Sequence, residues 1–306
     1  MQNARVAEVR ATRWTDLTYL LLVYVIWGST YLAIRIAVRE GTGFPPFSMA
    51  ALRALAAGTV LLAGTGLVGQ RLRLTRRELA ILAASGCLLW LGGNGLVVWA
   101  EQKADSGYAA LMVASVPIWV AVMEALLDRR APTLLLVGAL LTGLAGVGLL
   151  SVPAGGTAGV DPASAVALLL AAATWGVGSI LQRRRPVAVT PLVSAGYQML
   201  FGSGALLLVA LLVGEPRPSP TPEAWLAWAY LVAIGALVGF TSYIQCLRRL
   251  PIGVAMTYAY VNPVIAVILG WLVLGETIGL GTLAGMTLVL LGVAGVFHDR
   301  YGPRRR

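Results

Sequence analysis

Histidine occurs once, at His298, and cysteine twice, at Cys87 and Cys246. A Ser-His-Asp triad or a His-based metal centre needs more than one histidine beyond the last apolar run, and a disulfide framework or a paired metal motif needs more cysteines at closer spacing. No catalytic residue, metal site or cofactor is read from the chain, and both cysteines are expected to be small apolar packing groups. Acids are also scarce, 13 against 23 Lys and Arg in 306 residues. Charged types together make up only 12%, where a soluble domain carries about 25%.

What is abundant is apolar. Hydrophobic types reach 58%, with 36 glycines besides, and runs long enough to cross a bilayer recur along the whole length. A water-soluble globule is excluded. Ten segments can be marked, near 17–37, 46–68, 79–100, 106–127, 133–152, 162–182, 190–213, 224–246, 252–274 and 278–297. Lipid leaves helices or closed barrels as the only spanning structures, and these runs lack the alternation of barrel strands. The first run is longer than a signal-peptide core and holds Tyr24, Trp27, Tyr31 and Arg35, so it reads as a retained span. A G-x-G-x-x-G at Gly64, Gly66 and Gly69 ends an apolar helix and follows no strand, so it is not a nucleotide loop.

The basic residues set direction. Eighteen of the 23 fall on one side if the spans alternate: the N-terminal arm, the turns at Arg71–Arg77, Arg129–Arg130, Arg183–Arg185 and Arg248–Arg249, and the C-terminal tail. The other side has Arg39, Lys103 and Arg217, while Arg35 and Arg53 lie within spans. By the positive-inside rule both termini are expected in the cytoplasm, which requires an even number of spans. The net charge of +10 is then a consequence of insertion, and nucleic acid is not an expected partner.

The two halves resemble each other. Trp27-Gly28-Ser29 aligns with Trp175-Gly176-Val177, Pro46 with Pro191, and Arg53 with Gln198. The stretch from Gly107 to Pro117 aligns with Gly253 to Pro263, and Gly143-Leu-Ala-Gly146-Val with Gly292-Val-Ala-Gly295-Val. Each copy holds five helices, so the second must cross in the opposite sense. The expected architecture is all-α and integral to the membrane: ten transmembrane helices as two inverted five-helix repeats around a central cavity. Residues 1–16 form an N-terminal arm, 17–152 the first repeat, 162–298 the second, and 299–306 a basic tail. Inverted repeats recur among secondary transporters, where they alternate a central site between the two sides.

At these residues the chain resembles the EamA-type transporters of the drug/metabolite transporter superfamily. The carriers are Trp27-Gly28-Ser29, Arg53 within Ala-Leu-Arg-Ala, the run from Ala100 to Pro117 with its second copy from Leu247 to Pro263, and Leu274-Gly275-Glu276. The first half departs from the pattern at Leu127-Asp128-Arg129, where the Gly-Glu pair is missing. The resemblance implies export or exchange of small metabolites, often amino acids. The abundance of Trp and Tyr is most similar to the aromatic-amino-acid exporters of that superfamily.

Polar and aromatic groups near mid-membrane are the candidates for the site. They are Trp27, Tyr31, Trp90, Asn94, Ser115, Gln198, Ser242, Tyr258 and Asn262. An amide in hydrocarbon must find a partner, and the aromatics could stack a flat substrate or cradle an ammonium group. Helix-tying and ordinary packing are the structural alternatives. Pro117 and Pro263 each free a backbone carbonyl and are read as helix breaks or hinges. Arg53 lies deep in its span and is open to three roles: a structural ion pair, a snorkel, or pairing with a substrate carboxylate. Arg35 is close enough to its helix end to snorkel. Gly281-x-x-x-Gly285 has the spacing of close helix contact, within the chain or in a weak homodimer.

The function read from the sequence is a secondary transporter, exporter or facilitator, of small amphipathic metabolites, with amino acids the leading class. It works by alternating access in the cytoplasmic (inner) membrane, as a monomer or weak homodimer whose partners are its substrate and the bilayer. The alternatives are a proton-coupled drug/metabolite antiporter and, more distantly, a polytopic membrane enzyme. Glu124 is the one acid inside a span and lies close to Arg129–Arg130, while Glu101, Asp105 and Glu276 fall at span edges like loop or cap residues. No midplane proton relay is visible, so the expectation is flux down the substrate's own gradient.

Overall fold

The computed structural model describes residues 14–104, 106–151, 161–274 and 279–301. Most of the N-terminal arm, Asp105, Glu276 and the end of the basic tail lie outside them. Ten helical passes follow one another: α1 (Trp14–Ala37), α2 (Pro46–Leu67), α3 (Arg76–Ala100), α4 (Ser106–Val113 and Val116–Asp128), α5 (Leu134–Ser151), α6 (Pro162–Arg184), α7 (Pro191–Leu212), α8 (Pro222–Arg249), α9 (Ile252–Ala255 and Tyr258–Leu274) and α10 (Leu280–Tyr301). Eight are 20 to 28 residues long and apolar enough to cross a bilayer, and α5 and α9 are shorter apolar helices. There is no strand among the described residues.

Helix starts are written locally. Asp161, Thr190 and Thr221 each accept a bond from a backbone N–H in the following first turn, and each is followed directly by proline. Thr75 and Glu78 form a reciprocal capping box at α3. Helix α2 begins at Pro45-Pro46 with no cap of its own. Its cap comes from the other half: the Glu215 carboxylate accepts from the N–H groups of Phe47 and Ser48 at 2.8 and 2.7 Å.

Contacts between loops separate two ends of the bundle. At one, Arg71 bonds to the carbonyl of Ala188, Arg184 pairs with Asp128 at 2.7 Å, Arg249 with Asp16 and Arg300 with Glu124. This is the arginine-rich end. At the other, Glu215 caps α2, Thr221 bonds to the carbonyl of Thr42, and Arg35 reaches the end of α3. Helix α1 starts at the arginine-rich end and α6 finishes there, so the two five-helix repeats are inverted.

Helix α2 packs along α7, and α5 along α10. The second pair meets at glycines that match in the repeat: a Cβ on Gly292 would lie 2.6 Å from the Cα of Gly143. Gly285 is buried there against Gly146, whereas a Cβ on Gly281 would meet nothing within 4 Å. The small-residue spacing in α10 thus serves contact within the chain through one of its two glycines.

Two features depart from the sequence reading. The middles of α3 and α8, Cys87–Gly95 and Leu231–Phe240, are wound as π-helix. They occupy matching positions in the repeats, and such segments concentrate at functional sites. The breaks in α4 and α9, in contrast, do not match. In α4 the break falls at Ala114–Ser115, immediately before Pro117. In α9 it falls at Met256–Thr257, and Pro263 sits inside a continuous helix. Pro263 is therefore not a break: its missing N–H is absorbed within the helix, and the chain turns a helical turn and more earlier.

Candidate substrate-binding cavity

The two π segments face a cavity near the middle of the bundle. It is lined by Trp27, Thr30, Tyr31, Ile34, Arg53, Trp90, Gly93, Asn94, Val97, Val113, Trp175, Gly235, Phe240, Tyr258 and Asn262. Seven of the sequence candidates thus meet at one place: Trp27, Tyr31, Arg53, Trp90, Asn94, Tyr258 and Asn262. Its volume is about 70 Å³, less than half of a cavity of about 150 Å³ that admits benzene. It has room for a few waters, and a metabolite needs it to widen.

Aromatic rings form one wall. Trp27 contacts Trp175, Tyr243 and Tyr258 with centroids 5.4, 5.0 and 4.9 Å apart. The polar edges of the two indoles are anchored, Trp27 Nε1 donating to the carbonyl of Gly235 and Trp175 Nε1 to the hydroxyl of Tyr243. These bonds fix ring orientation and leave the faces free to pack.

Another part of the lining is polar and incompletely bonded. Arg53 is buried at 3% exposure, with its guanidinium 5.4 Å from the centroid of Trp90. Its Nε donates to the carbonyl of Leu231 at 3.2 Å, a carbonyl inside the π segment of α8. No carboxylate among the described residues pairs with it, and its Nη1 has no partner. Among the described residues Arg53 is thus in no ion pair, and at 3% exposure it does not snorkel to a surface. Trp90 Nε1 and Asn94 Oδ1 are likewise buried without partners. The cavity thus presents one charged donor, one neutral donor and one acceptor, each of which costs free energy until something bonds to it.

Asn262 is different. Its amide nitrogen is placed to donate to the carbonyls of Tyr258 at 2.9 Å and Tyr24 at 3.3 Å, so it ties α9 to α1. Three further candidates lie away from the cavity. Gln198 is fully buried, but its amide donates to Ser85 and Gln182, both at 2.8 Å, joining α7 to α3 and α6. Ser115 donates to the carbonyl of Met112 at the break in α4. Ser242 is buried outside the lining. The sequence missed Thr30, Gly235 and Phe240, and used Trp175 only as a repeat marker. The signal for Trp175 was present, since its repeat mate Trp27 was a candidate.

Side-chain bonds tie the helices together toward both ends of the bundle. Toward the arginine-rich end the Tyr24 hydroxyl bonds to Thr257 at 2.6 Å, and Arg183 and Arg248 donate to the carbonyls of Leu247 and Val189. At the other end the Arg35 guanidinium donates to the carbonyls of Glu101, Gln102 and Ala104. Arg35 thus satisfies the end of α3, beyond the simple snorkel expected of it. Glu124 bonds to Arg300 at 3.2 Å, whereas the sequence reading set Arg129–Arg130 beside it. Glu101 is the C-cap of α3, in keeping with a loop or cap residue at the span edge, and it is completely buried.

A family model described as EamA-like transporter family matches residues 14–152 and 163–298. The chain is 35% identical over 284 residues to the uncharacterised inner membrane transporter YedA of Escherichia coli, covering 92% of this chain and 90% of that protein. It is 27% identical over 287 residues to a probable terminal-alkyne amino-acid exporter of Streptantibioticus cattleyicolor, covering 94% of each. A solved structure superposes with a TM-score of 0.75 at 23% identity, over 93% of this chain and 96% of that one.

Proposed function

The chain belongs to the EamA-like transporter family, and from that premise we propose that it carries zwitterionic metabolites, amino acids with aromatic ones foremost, across the cytoplasmic membrane by alternating access. Membership makes it a multi-pass membrane transporter. The substrate class rests on one observation: Arg53 is a buried cation in the cavity with no acid beside it and a nitrogen still without a partner. A substrate carboxylate supplies the missing charge, and an Arg–carboxylate contact is charge-assisted and bidentate by geometry. The ring faces of Trp27, Trp175 and Tyr258 suit a flat or cationic remainder. The relative named as an amino-acid exporter agrees with this class. The arginine-rich end is assigned to the cytoplasm by the positive-inside rule.

The test compares tryptophan with tryptamine, which keeps the ring and amine but lacks the carboxylate. A ligand present at about 100 times its dissociation constant stabilises the folded protein by about 2.7 kcal/mol. Tryptophan should raise the unfolding temperature of the purified protein and tryptamine should not. Equal stabilisation by both contradicts the role given to Arg53.

A further inference from the structure

Glu101 ends the last turn of α3, and its N–H bonds to the carbonyl of Val97 at 2.9 Å. Val97 lines the cavity, so Glu101 lies one turn beyond the lining, toward the arginine-poor end. Its exposure is 0%, and neither carboxyl oxygen has a hydrogen-bond partner. From α1 two titratable groups face it: Tyr31, a lining residue, and Arg35 one turn further on. Arg35 is the charged group whose field reaches it, but the guanidinium bonds to the backbone carbonyl of Glu101 and not to its carboxylate. The helices packed on this part of α3 are α2 and α6. Arg53 of α2 is engaged with Trp90 and Leu231, and Asp161 of α6 with Ser164 and the nearby Lys103, so none of these bonds to Glu101.

An ionised carboxylate with no hydrogen bond is the most costly state available to such a site, and the neutral acid the least. The Arg35 bonds to the carbonyls of Glu101, Gln102 and Ala104 tie α1 to the end of α3 beside this carboxyl. Water can reach the fully buried group only when this packing opens. We propose that Glu101 is a proton-binding site, neutral while the arginine-poor end is closed, which gives its O–H proton to entering water when that end opens. Protonation and closure are then linked: the carboxyl gives its proton to water as that end opens and takes one back from water before it closes. This edge carboxylate, read from sequence as a loop or cap residue, then ties the opening of that end to the pH on its side. This inference goes beyond the substrate reading and stands whether or not amino acids are carried.

Its test uses no substrate. Infrared spectroscopy of the purified protein at neutral pH should show a protonated carboxylic acid band that disappears in Glu101→Gln. In a chain with Cys87 and Cys246 replaced by alanine, Ile34→Cys reports opening through its rate of modification by a charged thiol reagent. Opening linked to one proton shifts by up to about tenfold per pH unit. The ratio of this rate to that of the same protein carrying E101Q should therefore climb as pH rises, which also cancels the reagent's own pH dependence. A ratio flat within about twofold from acid to alkaline pH, or an acid band unchanged in E101Q, overturns the proposal. Glutamine mimics the neutral acid, so E101Q should fold as the parent does. If it aggregates while Glu101→Asp folds, the native group is ionised and the proposal fails.

Discussion

Trp27 and Trp175 occupy the same position in the two repeats and meet edge to face, with ring centroids 5.4 Å apart. Residues related by an inverted repeat touch only at the axis that relates the halves, so this contact places the axis through the aromatic wall of the cavity. The two indoles are bonded differently, Trp27 to a backbone carbonyl in α8 and Trp175 to the Tyr243 hydroxyl. The symmetry of the sequence is thus broken in the structure, as the unequal breaks in α4 and α9 also show.

That contact should be measurable. Aromatic pairs contribute about 0.5–1.5 kcal/mol beyond their area. A double-mutant cycle with Trp27→Leu and Trp175→Leu, read by unfolding in mixed micelles, should give a coupling energy in that range. Strict additivity contradicts direct contact.

The absence of an acid beside Arg53 has a stability consequence. Breaking a buried ion pair costs about 3–5 kcal/mol, but among the described residues Arg53 is in none. Arg53→Met should therefore cost only about 1.5–3 kcal/mol, the worth of its one bond to the Leu231 carbonyl. Arg35→Met loses bonds to three carbonyls and should cost at least about 1.5–3 kcal/mol. A strongly destabilised Arg53→Met reveals a hidden structural partner.

The contact of α5 with α10 predicts a contrast between two glycines. A methyl at Gly292 meets the backbone of Gly143 and the carbonyl of Ala139, while one at Gly281 meets nothing. Overpacking typically costs about 1–3 kcal/mol, so Gly292→Ala should lower the unfolding temperature and Gly281→Ala should leave it unchanged. A Gly281→Ala defect that depends on protein concentration points instead to a dimer face.

Much of the architecture was legible because lipid imposes it. Spans and inversion follow from apolar runs and an odd repeat. Arg53, Asn94 and Tyr258 could be picked out because a polar group at mid-membrane has few permitted surroundings. Glu101 could not. It stands just past an apolar run, where acids are usually solvated, and only the fold shows Arg35 drawing that turn inward. The π segments were equally hidden, since a shift of helical register leaves no period to read; the glycines at 92, 93 and 95, and at 235 and 239, were their trace. Gln198 matched Arg53 in the repeat, yet symmetry of position did not carry over to role, because Ser85 and Gln182 stand within its reach.

Orientation is open to a direct check. Reporter fusions at Val187 should read as cytoplasmic and fusions at Gly156 as external, given the concentration of arginines at the Val187 end. The reverse pattern overturns the assignment.

The role of Arg53 is tested most directly by counterflow. Proteoliposomes loaded with unlabelled tryptophan should take up radiolabelled tryptophan transiently and saturably. A hydrogen bond to a charged group is worth about 1.5–3 kcal/mol, so Arg53→Gln should lower the specificity constant by roughly 10- to 150-fold while the protein stays folded. Glu124→Gln, at the arginine-rich edge, should leave the flux as it was. Counterflow that persists undiminished in folded Arg53→Gln contradicts the account.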